Sequence, residues 1–334
     1  QLINAGYPEV KALEIMDQLD FIYAPRAVDI ALDGFSVRLG DPRKYFFSAL
    51  RRDSGSLREK ISFLKYLFSQ STHGSNVESE LLNAGCNTLY ALVLKPFLTG
   101  VFLAQPARVD SISGREIIKS FIAGAPGLPA RGAGELTRVL AGEIGHIETG
   151  VQVNAITGLE LNTSKGVITA RAIIVATDQI TAAQLLEIEE VGESVSCTTW
   201  FHSTLDAFDC DATLRVDGLA RGAIINSIAI SKLVPLSAPV GRILFSSTSL
   251  GHASESEVRR HLSLMWGVDT AGWELVAKYD IKNSLPLFAP GRSHAQSLQV
   301  RPGVWRAGDY LSAASQNGAL ASGRLAALEL INSL

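Results

Sequence analysis

The C-terminal stretch constrains the fold of this chain more than any other part of the sequence. A predicted apolar strand at residues 303–307 leads to Asp309, and a short loop then enters a helix of small residues from about Gly318 to Leu330. Small side chains let such a helix pack close to a sheet, and its N–H groups and positive partial charge suit a phosphate or an electron-rich ring edge. An ordinary strand–loop–helix unit with a surface acid has the same pattern, so both interpretations remain open here.

Further apolar runs predict that this unit belongs to an α/β protein. Residues 151–161 and 167–176 are predicted strands, and the continuous apolar run at 172–176 is typical of a strand buried on both faces. β-Branched runs at 223–230 and 242–247 indicate a second sheet. A helix is predicted at 254–266, where Ser254 and Glu257 form a capping box. The first third of the chain is predicted to be mostly helical.

An amphipathic run at residues 56–69 has two interpretations. It places five apolar residues among Lys60 and Lys65, namely Ile61, Leu64, Tyr66, Leu67 and Phe68. A helix with this pattern would suit a membrane surface, whereas packing on the protein's own core is the plainer interpretation. The mean hydropathy of +0.19, with 47% hydrophobic and 19% charged residues, fits a large core, an apolar cavity or a membrane-facing patch.

Charge and residue spacing argue against several classes of protein. A net charge of −3 gives no excess of positive charge of the kind that nucleic-acid-binding proteins use to bind phosphates. The three scattered cysteines form no C-x-x-C pair and the histidines form no H-x-x-x-H pair, so we expect neither a disulfide framework nor a metal site. This favours a reducing, cytoplasmic compartment, with membrane association left open. Residues 89–104 are interrupted by Lys95, Pro96 and Gly100 and are too short to span a bilayer.

Several motifs in this order and spacing resemble the flavoprotein group of phytoene desaturases, protoporphyrinogen oxidases and amine oxidases. The resemblance covers nearly the whole chain and is nearest to the phytoene-desaturase-like branch. Besides the C-terminal stretch, the motifs are Tyr7-Pro8-Glu9, Asp33-Gly34-Phe35 with Asp41-Pro42, Lys95–Phe102, residues 127–134, residues 175–178, and Leu285-Pro286 with Pro290-Gly291.

The resemblance implies FAD as the cofactor and assigns roles to particular residues. Gly308 and Asp309 would bind its ribityl or pyrophosphate region, and the helix start would face the flavin pyrimidine edge. Val153 would offer strand backbone to the adenine, although it also fits an ordinary core position. The turn that closes over the cofactor would contain Ala176 and Thr177, and Thr177 also fits a simple turn cap. The residues at the helix start are Gln316, Asn317 and Gly318.

The sequence also departs from the family pattern. Family members open with a G-x-G-x-x-G turn that holds the cofactor pyrophosphate on a helix N-terminus, and this motif does not occur in the 334 residues. We therefore expect a fragment or truncated gene product that binds FAD weakly or not at all and is either impaired or inactive. Many amine oxidases of the group have a lysine in the strand that corresponds to residues 195–202, and none occurs there, which disfavours amine oxidation.

The resulting prediction is an α/β fold: an incomplete three-layer FAD/NAD(P)-binding domain with an inserted α+β substrate-binding domain. The parts would be a mainly helical substrate-domain part at 1–110, an FAD-domain part at 111–190, a substrate-domain sheet and helix at 191–295, and a C-terminal FAD-binding segment at 296–334.

For function, the resemblance implies an FAD-dependent oxidoreductase that transfers a hydride from an apolar substrate to flavin and is reoxidised by oxygen or a quinone. The apolar stretch around Phe97 would line a substrate tunnel that opens near a membrane surface. Two alternatives are a flavin amine oxidase and a non-catalytic protein of the Rab escort or GDP-dissociation-inhibitor type, which binds prenylated proteins. Retention of Gly308-Asp309 argues against the latter.

Overall fold

The computed structural model describes residues 2–40, 54–72, 74–205, 207–292 and 296–333. It confirms the predicted α/β class. The α-helices are α1 (Pro8–Ala12), α2 (Leu57–Phe68), α3 (Val77–Asn83), α4 (Asn87–Leu89), α5 (Lys95–Phe102), α6 (Ser111–Ala123), α7 (Gly134–Gly142), α8 (Gln179–Leu186), α9 (Glu255–Trp266) and α10 (Gln316–Ser333). The strands are β1 (Ile3–Asn4), β2 (Phe21–Tyr23), β3 (Ala27–Ala31), β4 (Ser36–Gly40), β5 (Pro126–Pro129), β6 (Val153–Thr157), β7 (Glu160–Thr163), β8 (Gly166–Thr169), β9 (Ile173–Val175), β10 (Ser194–Leu205), β11 (Leu214–Asp217), β12 (Ile224–Ala229), β13 (Arg242–Ser249), β14 (Glu274–Pro286), β15 (Gln299–Arg301) and β16 (Val304–Arg306).

A seven-stranded sheet in the order β14-β10-β13-β12-β11-β3-β4 forms the larger core. Because successive side chains of a strand point to opposite faces, Ile30 and Ala31 of β3 belong to different apolar clusters. Ile30 packs with residues of α2 to α6, and Ala31 packs with Trp200 and the inner side of α9. The sheet is thus covered by helices on both faces.

The first part of this sheet lies within the predicted mainly helical part at 1–110. Residues 2–40 contain strands β1 to β4, and helices dominate only from α2 onward. Strands β3 and β4 form an antiparallel hairpin whose turn contains Asp33 and Gly34, and the φ of +75° at Gly34 is one that glycine adopts easily. The Asp-Gly pair is therefore a hairpin signal. The accompanying Asp41-Pro42 pair lies outside the described residues, and the predicted domain boundaries stay a prediction.

Two predicted strands of the middle region prove to be shorter and broken. Residues 151–161 form β6 and β7, and residues 167–176 contain β8 and β9, which pair in different sheets. In β9, Ile173 and Val175 are buried but Ile174 is 37% exposed, so the expectation of burial on both faces is wrong for this position. The side chain of Ile174 points to the opposite face of the sheet from Ile173 and Val175. Within the described residues, β9 is an edge strand of this sheet.

A buried carboxylate ties the large sheet to helix α9. Asp217, at the end of β11, accepts hydrogen bonds from His261 Nε2 at 2.8 Å and Arg221 Nε at 3.0 Å. Burial opposes ionisation of Asp217, but these donors hold the pKa of its carboxyl well below the usual value. His261 Nδ1 accepts the Ile224 N–H at 2.9 Å, so both ring nitrogens are occupied and His261 has a structural role.

The predicted capping box of α9 is confirmed and gives a stability prediction. Ser254 Oγ accepts the Glu257 N–H at 3.3 Å, and Glu257 Oε2 accepts the Ser254 N–H at 2.8 Å. We expect Ser254→Ala to lower the free energy of unfolding by about 1 kcal/mol, and Ser254→Gly to lower it by only a few tenths. Urea unfolding followed by circular dichroism measures both variants, and equal losses for the two would contradict the capping role.

Candidate functional site

Strands β9 and β16 run parallel, so their carboxyl ends meet at one edge of the smaller sheet β15-β16-β9. The Ala307 N–H donates to the Val175 carbonyl at 2.9 Å and holds the two strand ends together. Asp178 follows β9 and Asp309 follows β16. Burial is the main cause of the raised pKa of Tyr310, about 12; the Arg306 guanidinium lowers it in part, and the carboxylates of Asp309 and Asp178 add to it. The C-terminal edge of a parallel sheet is a common position for ligand binding.

Asp309 is the most distinctive group at this edge. Its side chain is half-buried, and this burial raises the pKa of the carboxyl to about 6, although the N–H groups of Tyr310 and Asp309 itself lower it in part. Among the described residues no arginine, lysine or histidine lies within ion-pair distance of Asp309. Asp178, in contrast, caps α8 through the N–H groups of Ile180 and Thr181. Asp309 is thus a half-buried carboxylate that has no charged partner among the residues that the structure describes.

Two glycines allow the backbone to close tightly around Asp309. The Gly308 N–H donates to Ser322 Oγ at 2.9 Å, and a Cβ at Gly308 would lie 2.1 Å from Tyr310 Cε1. A Cβ at Gly318 would lie 2.0 Å from the Ala313 carbonyl oxygen. Such separations are far below van der Waals contact, so the loop before α10 packs against the helix only because these positions are glycine. Sequence reasoning missed Ser322, whose only signal is its place among the small residues of α10.

The first turn of α10 is held by α1 from the other end of the chain. Asn317 Oδ1 accepts the Glu9 N–H at 3.1 Å, and the Glu9 carboxylate forms a two-pronged ion pair with Arg324 at 2.8 and 2.9 Å. The motif Tyr7-Pro8-Glu9 is therefore in contact with the C-terminal motif. Gln316 is exposed, and the Gly318 N–H donates to Ser315 Oγ at 3.1 Å. The side-chain oxygen of Asn317 is thus already engaged, whereas Gln316 is free to turn toward a ligand.

The remaining predicted cofactor residues lie around the same part of the fold. Val153, at the start of β6, packs on the apolar cluster that contains Val175 and Tyr310. Ala176 and Thr177 are exposed at the end of β9, and Thr177 Oγ1 donates to the Asp178 carbonyl at 3.2 Å. The structure brings these residues together with Asp309, and their cofactor roles stay predictions.

Phe97, the predicted substrate residue, lies on α5, which precedes strands β9 and β16 in the chain. Its half-buried ring meets Phe121 edge to face, with the ring centroids 5.7 Å apart. A cavity of about 10 Å³ between Phe102, Ile117 and Phe288 has room for about one water molecule. The role of Phe97 toward a substrate stays a prediction.

A larger cleft of about 210 Å³ lies elsewhere, next to β5. It is lined mainly by polar and charged residues, and Glu135 and Arg138 of α7 form an ion pair within it. None of its lining residues belongs to the edge at Asp309. Its charged lining makes it unsuited to an apolar substrate.

The sequence matches no protein-family model and no curated protein sequence. Solved structures do share the fold. An oxidoreductase from Methanosarcina mazei aligns over 98% of this chain and 86% of its own, with a TM-score of 0.69 and 15% identity. A reduced UDP-galactopyranose mutase aligns over 100% and 84%, with a TM-score of 0.67 and 12% identity. Putrescine oxidase with bound putrescine aligns over 98% and 86%, with a TM-score of 0.63 and 11% identity.

These likenesses establish the fold of the chain and leave its reaction open, because one fold commonly hosts several chemistries. An oxidase and a mutase occur among these similar structures. Within the described residues no three His, Cys, Asp or Glu side chains are grouped as metal ligands. Every helix in the same part of the chain is too short or too polar to cross a membrane.

Proposed function

We propose that the chain is an FAD-dependent oxidoreductase of the desaturase or oxidase kind that acts on an apolar substrate. The observation that carries this proposal is Asp309. A partly buried carboxylate with no charged partner in the described part of the chain costs folding free energy, and groups with perturbed pKa values are concentrated at functional sites. Its position beside the start of α10, at the carboxyl ends of β9 and β16, suits a dinucleotide ligand.

The residues at this edge fit the flavin half of FAD. The Asp309 carboxylate would accept hydrogen bonds from ribityl hydroxyls, and these bonds would replace the solvation it lost on folding. Gly308 and Gly318 keep the backbone close, and the start of α10 would offer partial positive charge to the pyrimidine edge near the exposed Gln316. The engaged side-chain oxygen of Asn317 limits its part to the backbone or the amide nitrogen. Because the edge is fully formed, we expect weak but specific FAD binding.

Bound FAD would supply the hydride acceptor, and oxygen or a quinone would receive the electrons. The protein itself would contribute to catalysis by holding the substrate in position and by keeping water away from it. Amine oxidation is less well supported, since β10 has no lysine between residues 195 and 202. A non-catalytic role in binding prenylated proteins gives no reason for a partly buried carboxylate at this edge.

A substitution at Phe97 tests the apolar-substrate proposal. We expect Phe97→Asp to lower binding of diphenylhexatriene, a polyene probe that fluoresces in apolar surroundings, by at least about tenfold, because the carboxylate would enter the proposed binding surface. Since Phe97 is half-buried and its ring contacts Phe121, the melting temperature should fall, but much less than for a fully buried position, and FAD affinity should change little. Fluorescence titration and thermal melting measure these effects.

The matched control is Phe102→Asp on the same helix. Phe102 is 6% exposed, so an unpaired carboxylate there should cost several kcal/mol and unfold the chain. If Phe97→Asp unfolds the chain as Phe102→Asp does, or if it leaves probe binding unchanged, the assignment of Phe97 to a substrate surface is wrong.

A further inference from the structure

Helix α2 presents an apolar stripe to the outside of the molecule. Leu57, Ile61, Leu64 and Phe68 are 56%, 46%, 55% and 87% exposed. Their spacing of four, three and four residues places them on one side of the helix. Core packing, the plainer interpretation of this run, therefore accounts for only three of the seven apolar residues of α2: Phe63, Tyr66 and Leu67.

The opposite side of α2 is anchored in the protein. Tyr66 and Leu67 are buried at 3% and 5% exposure and pack with the large core. Glu59 Oε2 accepts the Ser56 N–H at 2.7 Å, and Glu59 Oε1 accepts the N–H of Leu89 at 3.3 Å. The helix is thus fixed in an orientation that keeps its apolar stripe outside.

Basic side chains border this stripe. At about 100° per residue, the exposed Arg58 and Lys65 lie along one border of the stripe. Glu59 is the only acidic residue of α2, and it is occupied on the anchored side. The outward half of the helix therefore combines apolar contact with positive charge.

We propose that α2 binds the surface of an anionic lipid bilayer, lying in the plane of the interface. The stripe would enter the boundary between headgroups and acyl chains, while the basic side chains would contact lipid phosphates. Both parts contribute, since apolar burial and attraction to anionic headgroups add in interfacial helices.

A second copy of the chain fits this surface less well. The spacing of the stripe would suit a helix–helix seam, but 12 residues fall short of the three to four heptads that a coiled coil needs. Pairing two copies through the stripe would also bring Arg58 and Lys65 next to basic residues of the other copy, and such like-charge contacts are unfavourable.

Vesicle flotation tests the proposal with three variants. Wild type is expected to float with vesicles of phosphatidylcholine and phosphatidylglycerol and much less with pure phosphatidylcholine. The double variant Leu64→Gln/Phe68→Gln should bind at least about tenfold more weakly, because two apolar side chains no longer enter the bilayer. Arg58→Gln/Lys65→Gln should lose about fivefold per charge on the anionic vesicles only. Leu236→Gln, at a 78% exposed position elsewhere, should bind as wild type does.

Several results would overturn this proposal. They are failure of wild type to float, equal binding of wild type and Leu64→Gln/Phe68→Gln, and equal binding to both kinds of vesicle. Sedimentation velocity showing a wild-type dimer that the stripe variant dissociates would assign the surface to a second copy instead. Thermal melting checks folding, and should the double variant melt early, Phe68→Gln alone replaces it, because that ring is 87% exposed.

Discussion

Gly318→Ala is expected to lower the free energy of unfolding by about 1–3 kcal/mol and to weaken FAD binding strongly, because the new methyl group has no room. Its Cβ would lie 2.0 Å from the carbonyl oxygen of Ala313 and 2.7 Å from the Ala313 nitrogen. Both are backbone atoms, so the loop before α10 must move away from the helix start. That movement would displace the proposed binding edge between Asp309 and α10.

The same helix provides the matched control. Nothing lies within 4 Å of a Cβ built at Gly323, so Gly323→Ala should raise stability by up to about 1 kcal/mol through helix propensity. Urea unfolding and FAD titration of both variants separate crowding from the general effect of glycine replacement. Equal behaviour of Gly318→Ala and Gly323→Ala would show that the tight contact at Gly318 is unimportant.

Asp309→Asn is expected to change stability and FAD affinity in opposite directions. Burial raises the pKa of Asp309 to about 6, above its value in the unfolded chain, so the folded protein binds this proton more tightly. The destabilisation is therefore fully present above about pH 6 and is relieved as the pH falls toward about 4. The isosteric amide removes it, and we expect Asp309→Asn to be about 1–2 kcal/mol more stable near pH 8.

The loss of FAD affinity in Asp309→Asn follows from the charge. Hydrogen bonds to a carboxylate contribute about 1.5–3 kcal/mol, which corresponds to about a 10- to 150-fold loss of affinity. In wild type the affinity should also fall as the pH drops below about 6, while Asp309→Asn should not show this dependence. A variant that is less stable than wild type near pH 8, with unchanged FAD affinity, would identify Asp309 as an ordinary structural acid.

The local features of the fold could be predicted from the sequence. The C-terminal strand, the acid after it and the small-residue helix follow one another within a short stretch, so short-range patterns suffice to place Asp309 beside α10. The capping box at Ser254 and Glu257 is equally local. In both cases the sequence pattern and the structural element that it predicts occupy the same few residues.

The remaining features depend on long-range contacts, which a single sequence does not show. The hydrogen bond from Glu9 to Asn317 joins residues 308 positions apart, so the engagement of Asn317 could not be foreseen. Strands β3 and β4 were missed, although Asp33-Gly34 offered a hairpin signal. Periodicity showed that α2 is amphipathic but not which of its two apolar sides faces outward.

The most direct measurement is an FAD titration of the wild-type chain, Asp309→Asn and Gly323→Ala near pH 8, followed by flavin fluorescence. The proposed site predicts weak, saturable binding to wild type, an equal affinity for Gly323→Ala, and at least about tenfold weaker binding to Asp309→Asn. Equal affinities of wild type and Asp309→Asn, or no binding to wild type at the highest soluble FAD concentration, would contradict a flavin site at this edge.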